Sequence, residues 1–70
     1  MKEQLEKFCQ LSANEFISGA NRGENKTELR QMLNNNLKHK IETEKLMRWE
    51  GVALADRIME IIKKSGHTMQ

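Results

Sequence analysis

The chain has 70 residues, with 12 basic and 10 acidic side chains, a formal net charge of +2 and one cysteine. This length allows a single domain, residues 1–70, whose folding hides only about 60% of the unfolded surface. Cys9 has no partner for an intramolecular disulfide, which indicates a cytoplasmic protein with oligomerisation as a further source of buried surface.

The first predicted element is one amphipathic helix over residues 3–20. At about 100° per residue, its apolar side chains keep one face without a change of phase. These residues are Leu5, Phe8, Cys9, Ser12, Ala13, Phe16, Ile17 and Ala20. An alternative is that Ser12 and Glu15 form a capping box that starts a new helix at residue 12. The constant phase favours the continuous helix.

The sequence NRGEN, residues 21–25, predicts a loop before the second helix. Gly23 can adopt a positive φ at little steric cost. Asn25 or Thr27 can cap the N-terminus of the helix that follows. We therefore expect the second helix to begin at residue 26.

The second helix is predicted over residues 26–49 and has a thin apolar stripe. The apolar residues recur every four positions, at Leu29, Leu33, Leu37 and Ile41. Polar residues interrupt the same face at Asn36, Lys40 and Glu44, which weakens its amphipathic character. This face is available for self-association.

The third helix is predicted over residues 52–65. Its apolar face consists of Leu54, Ile58, Ile61 and Ile62. Asp56 near the start and Lys63 near the end suit the helix dipole, and Gly66 is placed to end the helix. Residues 67–70 are predicted to be a frayed tail.

The connection around Gly51 allows two folds. A turn at Gly51 gives a small all-α three-helix bundle. A helix that continues through it, over residues 26–65, gives a helical hairpin with a long second helix. A glycine inside a helix costs only about 1 kcal/mol relative to alanine, and neither proline nor a capping side chain stands nearby. Compactness favours the turn.

Trp49 is the only tryptophan, and its role depends on that connection. If the chain turns at Gly51, Trp49 can fold over Leu54 and Ile58 and close the core. Otherwise it lies on the back of the helix and anchors an interface together with Leu46 and Arg48. Tryptophan and arginine are the residue types most enriched in binding hot spots.

Catalytic and metal-binding patterns are absent from the sequence. Cys9 lies in an apolar stripe, as expected of a structural cysteine. His39 and His67 have no second ligand at metal-binding spacing. No phosphate-binding loop or nucleophile elbow occurs. The sequence therefore predicts a protein that is not an enzyme and has no metal or cofactor.

A basic cluster around the first loop suggests a nucleic-acid interface as an alternative. Arg22, Lys26 and Arg30 surround a glycine-containing turn and the start of a helix, the arrangement on which helix-turn-helix motifs are built. Glu24 and Glu28 lie among them and would repel phosphates. The alternative function is therefore a small DNA-binding transcriptional regulator.

The preferred function is a non-enzymatic helical interaction protein: a regulator, inhibitor or adaptor. It would bind a protein partner through Leu46, Arg48 and Trp49, and would form a homodimer or larger oligomer. No membrane partner is expected, because no apolar run approaches the ~20 residues of a membrane span. The segment MKEQLEKFCQ has acids and no apolar h-region, so no signal peptide is expected. The sequence does not identify the partner.

Overall fold

A computed structural model describes residues 2–67 of the chain and contains three α-helices in that range. Their bounds are α1, Glu3–Asn21; α2, Lys26–Glu44; and α3, Arg48–Lys64. The predicted all-α three-helix bundle is confirmed, and so is the continuous first helix. The alternative of one helix over residues 26–65 is wrong.

The helices run up, down and up around one core. α1 is antiparallel to α2, since the Lys40 Nζ lies 5.5 Å from the centre of the Phe8 ring while Gly19 contacts Leu29. α1 makes more contacts with α3 than with α2, and α2 meets α3 least. The packing of α1 against α3 is therefore the main helix–helix contact of the bundle.

The core is built mainly by α1 and α3. Its buried apolar residues are Leu5, Cys9, Ala13, Phe16, Leu29, Leu33, Leu54, Ile58 and Ile62. α2 supplies only Leu29 and Leu33 of these, and Met32 and Leu37 are partly buried at the edge. The thin apolar stripe of the second helix thus gives it a smaller share of the core.

Glycines end α1 and α3 in the same way. Gly23 has φ +80° and Gly66 has φ +89°, which is the left-handed region. The Glu24 N–H donates to the Gly19 carbonyl at 3.0 Å, and the His67 N–H donates to the Ile62 carbonyl at 3.3 Å. Both are Schellman motifs, which satisfy carbonyls at the helix end.

Of the predicted tail, residues 67–70, the structure describes only His67. His67 is attached to the end of α3 by its backbone hydrogen bond to Ile62, so the tail does not begin there. Residues 68–70 lie outside the described residues.

The start of α2 follows the sequence prediction. The Asn25 Oδ1 accepts hydrogen bonds from the Thr27 N–H at 2.8 Å and the Glu28 N–H at 3.2 Å. These bonds satisfy two of the donors that the first turn of a helix leaves open. Asn25 is therefore the N-cap, and α2 begins at Lys26.

The turn between α2 and α3 lies at residues 45–47, and the predicted boundaries at residues 49 and 52 are wrong. Lys45 adopts the left-handed conformation, with φ 53° and ψ 47°, and the Leu46 N–H donates to the Ile41 carbonyl. The Glu50 Oε1 then accepts from the Met47 N–H at 3.0 Å and caps the start of α3. Three residues without strong turn preference, Lys45, Leu46 and Met47, thus form the connection.

Gly51 has a packing role inside α3. It is buried, and a Cβ at this position would lie 2.7 Å from the Ile41 Cδ1. The absence of a side chain lets α3 approach α2 closely just after the turn. The glycine that looked like a chain reversal therefore marks a helix–helix contact.

Candidate protein-binding surface

Trp49 lies in the first turn of α3 and is 67% exposed. Because α3 begins before it, Trp49 belongs to the same helix as Leu54 and Ile58. Trp49 precedes Leu54 by five residues and Ile58 by nine. At about 100° per residue, its side chain lies about 140° and about 180° away from theirs around the helix axis. The interpretation of Trp49 as a core residue is therefore wrong.

Other apolar side chains are exposed close to Trp49 in sequence. Met47, the N-cap of α3, is 64% exposed, and Val52 is 55% exposed. Three large apolar residues within six positions thus face solvent. Isolated exposed apolar residues are common, so these exposures gain meaning only from the surface beside them.

A groove of about 510 Å³ lies beside Trp49, between the beginnings of α1 and α3. Its lining consists of Lys2, Leu5, Trp49, Glu50, Ala53 and Leu54. We call this feature, together with the Trp49 indole, the Trp49 groove. Ala53 has a small side chain, so the space between its larger neighbours Leu5 and Trp49 is not filled. An apolar side chain of a partner fits this environment.

The three residues predicted to bind a partner have different positions. Arg48 and Trp49 are exposed at the start of α3. Leu46 is partly buried and packs against the core, so it supports the turn more than it offers a contact. Leu5 and Lys2 were missed, since only the packing of α1 on α3 brings them to Trp49.

An ion pair between Glu6 and Arg57 joins α1 to α3, the two helices that form the Trp49 groove. The Arg57 Nε and Nη2 each donate to the Glu6 carboxylate at 2.8 Å, and the Gln10 Nε2 donates to it at 2.7 Å. These hydrogen bonds, with that from Arg57 foremost, lower the pKa of Glu6 from 4.5 to about 2. Two-point contact with the guanidinium also fixes the relative position of the helices.

The same arginine extends the pair into a network along α3. The Arg57 Nη1 lies 3.2 Å from the Glu60 Oε1, and the Lys64 Nζ lies 3.0 Å from the same oxygen. The neighbouring Lys64 ammonium is the main reason that the pKa of Glu60 is lowered. These charges are satisfied within the molecule.

The basic cluster of the alternative interface lies at the first loop and the start of α2. The Arg22 Nη2 forms an ion pair with the Glu24 Oε2 at 2.7 Å. The Arg30 Nη2 donates to the Thr27 Oγ1 at 3.4 Å, and Lys26 is exposed. The charge of Arg22 is thus compensated locally.

Cys9 and the histidines occupy separate environments. Cys9 is fully buried, its Sγ lies 3.7 Å from the Leu54 carbonyl, and burial raises the pKa of its thiol to about 11. The His39 Nε2 lies 3.4 Å from the Thr43 Oγ1 on the surface of α2. Within residues 2–67 no three His, Cys, Asp or Glu side chains converge as metal ligands.

None of the helices within residues 2–67 has the length and apolar character needed to cross a membrane. Comparison of the chain with protein-family models, curated proteins and solved structures found no match. The functional proposal therefore rests on the surface described above.

Proposed function

We propose that this chain is a non-enzymatic interaction protein that binds another protein through the Trp49 groove and acts as a regulator, inhibitor or adaptor. The observation that carries the proposal is the 67% exposure of Trp49 beside an apolar groove. A large aromatic side chain in water gains free energy when a partner buries it. Tryptophan is also among the commonest hot-spot residues.

The proposed mechanism is insertion of an apolar partner side chain between α1 and α3. Leu5 and Ala53 would contact that side chain while the Trp49 indole covers it. Arg48, exposed at the edge, would meet an acidic group of the partner. The Glu50 cap and the Glu6–Arg57 pair hold these elements in place before binding, which lowers the entropy cost of association.

The first test uses Trp49 itself as the probe. Since the chain has no second tryptophan and no tyrosine, its fluorescence reports this position alone. We expect red-shifted emission that acrylamide quenches readily in the free protein, and a blue shift with protection when the partner binds. Blue-shifted, protected emission in the dilute free monomer would contradict a free contact surface.

The decisive test is a matched pair of binding measurements. A photo-reactive amino acid at Lys2, which lines the groove and leaves Trp49 in place, captures the partner. The Kd of that partner is then measured with unlabelled variants. Trp49→Ala should weaken binding by about 30-fold, the loss of about 2 kcal/mol typical of a hot spot. Leu11→Ala, an exposed apolar truncation on α1, should leave the Kd unchanged. Equal affinities of the wild type and Trp49→Ala would rule out the groove as the site.

DNA binding through Arg22, Lys26 and Arg30 is the alternative proposal, with less support because Glu24 already pairs with Arg22. It predicts an affinity that falls by about 0.9 decade per decade of salt for each phosphate neutralised. Replacing the three basic residues with alanine should abolish this binding and keep the fold. A chain without salt-dependent DNA affinity would exclude this alternative.

A further inference from the structure

α3 has a second apolar stripe, on the side facing away from the core. Val52 is 55% exposed and Met59 is 44% exposed. Seven residues separate them, which is about two turns, so they lie on the same line along the helix. Neither α1 nor α2 covers this outer face of α3, which we define by Arg48, Val52, Asp56 and Met59.

The charges on the outer face are arranged symmetrically about Val52. Arg48 precedes it by four residues and Asp56 follows it by four, each about 6 Å along the helix axis. Neither residue takes part in an ion pair within residues 2–67, whereas Arg57, Glu60 and Lys64 on the same helix are paired. One positive and one negative group thus flank an exposed apolar side chain, and among the described residues neither group forms an ion pair.

We propose that this face binds the same face of a second copy, forming an antiparallel homodimer centred on Val52. A two-fold axis at Val52 brings Arg48 level with Asp56 of the second copy, and the reverse pair forms by symmetry. The two Val52 side chains meet between the ion pairs. This inference does not rest on the proposed function, because the dimer contact is centred on Val52 and not on the Trp49 groove. Arg48 is the one residue that both proposals use, at the edge of each surface.

The charge pattern selects this arrangement over the other ways of pairing two α3 helices. In a parallel dimer, Arg48 would face Arg48 and Asp56 would face Asp56, and both contacts repel. A shifted antiparallel pairing would place Asp56 opposite Lys63. That shift would also bring Met59 level with Glu60, whose carboxylate is already bound by Arg57 and Lys64.

Chain size gives a reason for the dimer. A 70-residue chain with a single cysteine has little core of its own, and self-association is a common further source of stability. One helix face buries less than the roughly 800 Å² per partner of a standard interface. We therefore expect a reversible dimer with a Kd of roughly micromolar order.

The test is a charge-reversal cycle on the full chain, read by sedimentation equilibrium across that concentration range. Arg48→Asp alone and Asp56→Arg alone should each weaken the dimer by about tenfold or more, because each creates like-charge contacts. The combined variant, Arg48→Asp with Asp56→Arg, should restore the wild-type dimer constant. Val52→Asp should give a monomer, and circular dichroism checks that each variant remains folded.

Lys63→Glu is the matched control, an exposed charge reversal on α3 beyond the proposed contact, and it should leave the dimer constant unchanged. A monomeric wild type, a dimer insensitive to the single reversals, a combined variant no more dimeric than its parents, or dissociation by Lys63→Glu would each overturn the proposal. Failure of the Trp49 site appears separately, as an unchanged Kd for the heterologous partner with Trp49→Ala.

Discussion

At the scale of single residues, Glu6 shows how a surface carboxylate is held by a neighbouring helix. Its pKa is lowered from 4.5 to about 2 because Arg57 and Gln10 donate hydrogen bonds to the ionised form. The ionised group therefore stabilises the folded state fully above pH 4.5, and this contribution is lost as the pH falls from 4.5 towards 2.

We expect Glu6→Gln to lower the free energy of unfolding at neutral pH and to flatten its decline below pH 4.5. Urea titrations of the wild type and the variant, from neutral pH down to about pH 2, measure this difference. Glu15→Gln, an exposed change on the same helix, should reproduce the wild-type pH profile. Parallel profiles for Glu6→Gln and the wild type would contradict the role of the pair.

Cys9 is expected to be chemically inert while the protein is folded. The side chain is fully buried and its thiol pKa is raised to about 11, so very little thiolate exists at neutral pH. Labelling by an aromatic disulfide should be slow in the native state and should accelerate with urea in step with unfolding. Rapid native-state labelling, at the rate of a model thiol, would refute the buried assignment.

At the scale of elements, the turn at Lys45 carries conformational strain. A side chain in the left-handed region costs roughly 1–2 kcal/mol, which glycine avoids. Lys45→Gly should therefore raise the free energy of unfolding by about 1 kcal/mol, measured by urea titration. Lys38→Gly, in the interior of α2, should lower it by about 1 kcal/mol. A loss of stability in both variants would mean that Lys45 is unstrained.

The two glycines at helix contacts are expected to respond differently to alanine. A Cβ at Gly19 would lie 2.5 Å from the Cδ2 and 3.3 Å from the Cδ1 of Leu29, which is buried and hemmed in. Overpacking of this kind costs about 1–3 kcal/mol, more than the helix gains from alanine. Gly19→Ala should therefore lower the thermal midpoint.

Gly51→Ala serves as the comparison. Its Cβ would meet the terminal methyl of Ile41, which is only half-buried and can rotate away. The gain in helix propensity, about 1 kcal/mol, should then dominate and leave the midpoint equal or higher. A larger loss for Gly51→Ala than for Gly19→Ala would reverse this assignment of tight and loose contacts.

At the scale of the whole molecule, the aromatic residues divide between stability and surface. Phe16 is fully buried and Trp49 is largely exposed. Phe16→Ala should cost about 3–5 kcal/mol, enough to unfold much of so small a domain, whereas Trp49→Ala should change stability by less than about 0.5 kcal/mol. Thermal unfolding measures both. Equal destabilisation would place Trp49 in the core.

Much of the helical framework was predictable from local signals. The unbroken apolar phase of residues 3–20 predicted α1, and the capping candidates Asn25 and Thr27 predicted the start of α2, where the structure selects Asn25. The second turn was missed because its determinants are weak in sequence: a lysine in the left-handed conformation and a methionine N-cap. Glu50, three residues after Met47, was the available signal, since a glutamate at that position can reach back to the N-cap N–H.

The sequence by itself determined that the chain forms helices and which faces of α1 and α3 are buried. It also placed a helix start near residue 26 and a helix end at Gly66, because these features depend on periodicity and on local backbone preference. Only the tertiary structure decided where α2 ends, that Gly51 admits Ile41, and that Trp49 faces outward beside Leu5. Those features depend on how α1 packs on α3 and how closely α2 approaches α3. Contacts between segments far apart in the chain leave no local periodic signal, so they emerge only when the helices pack.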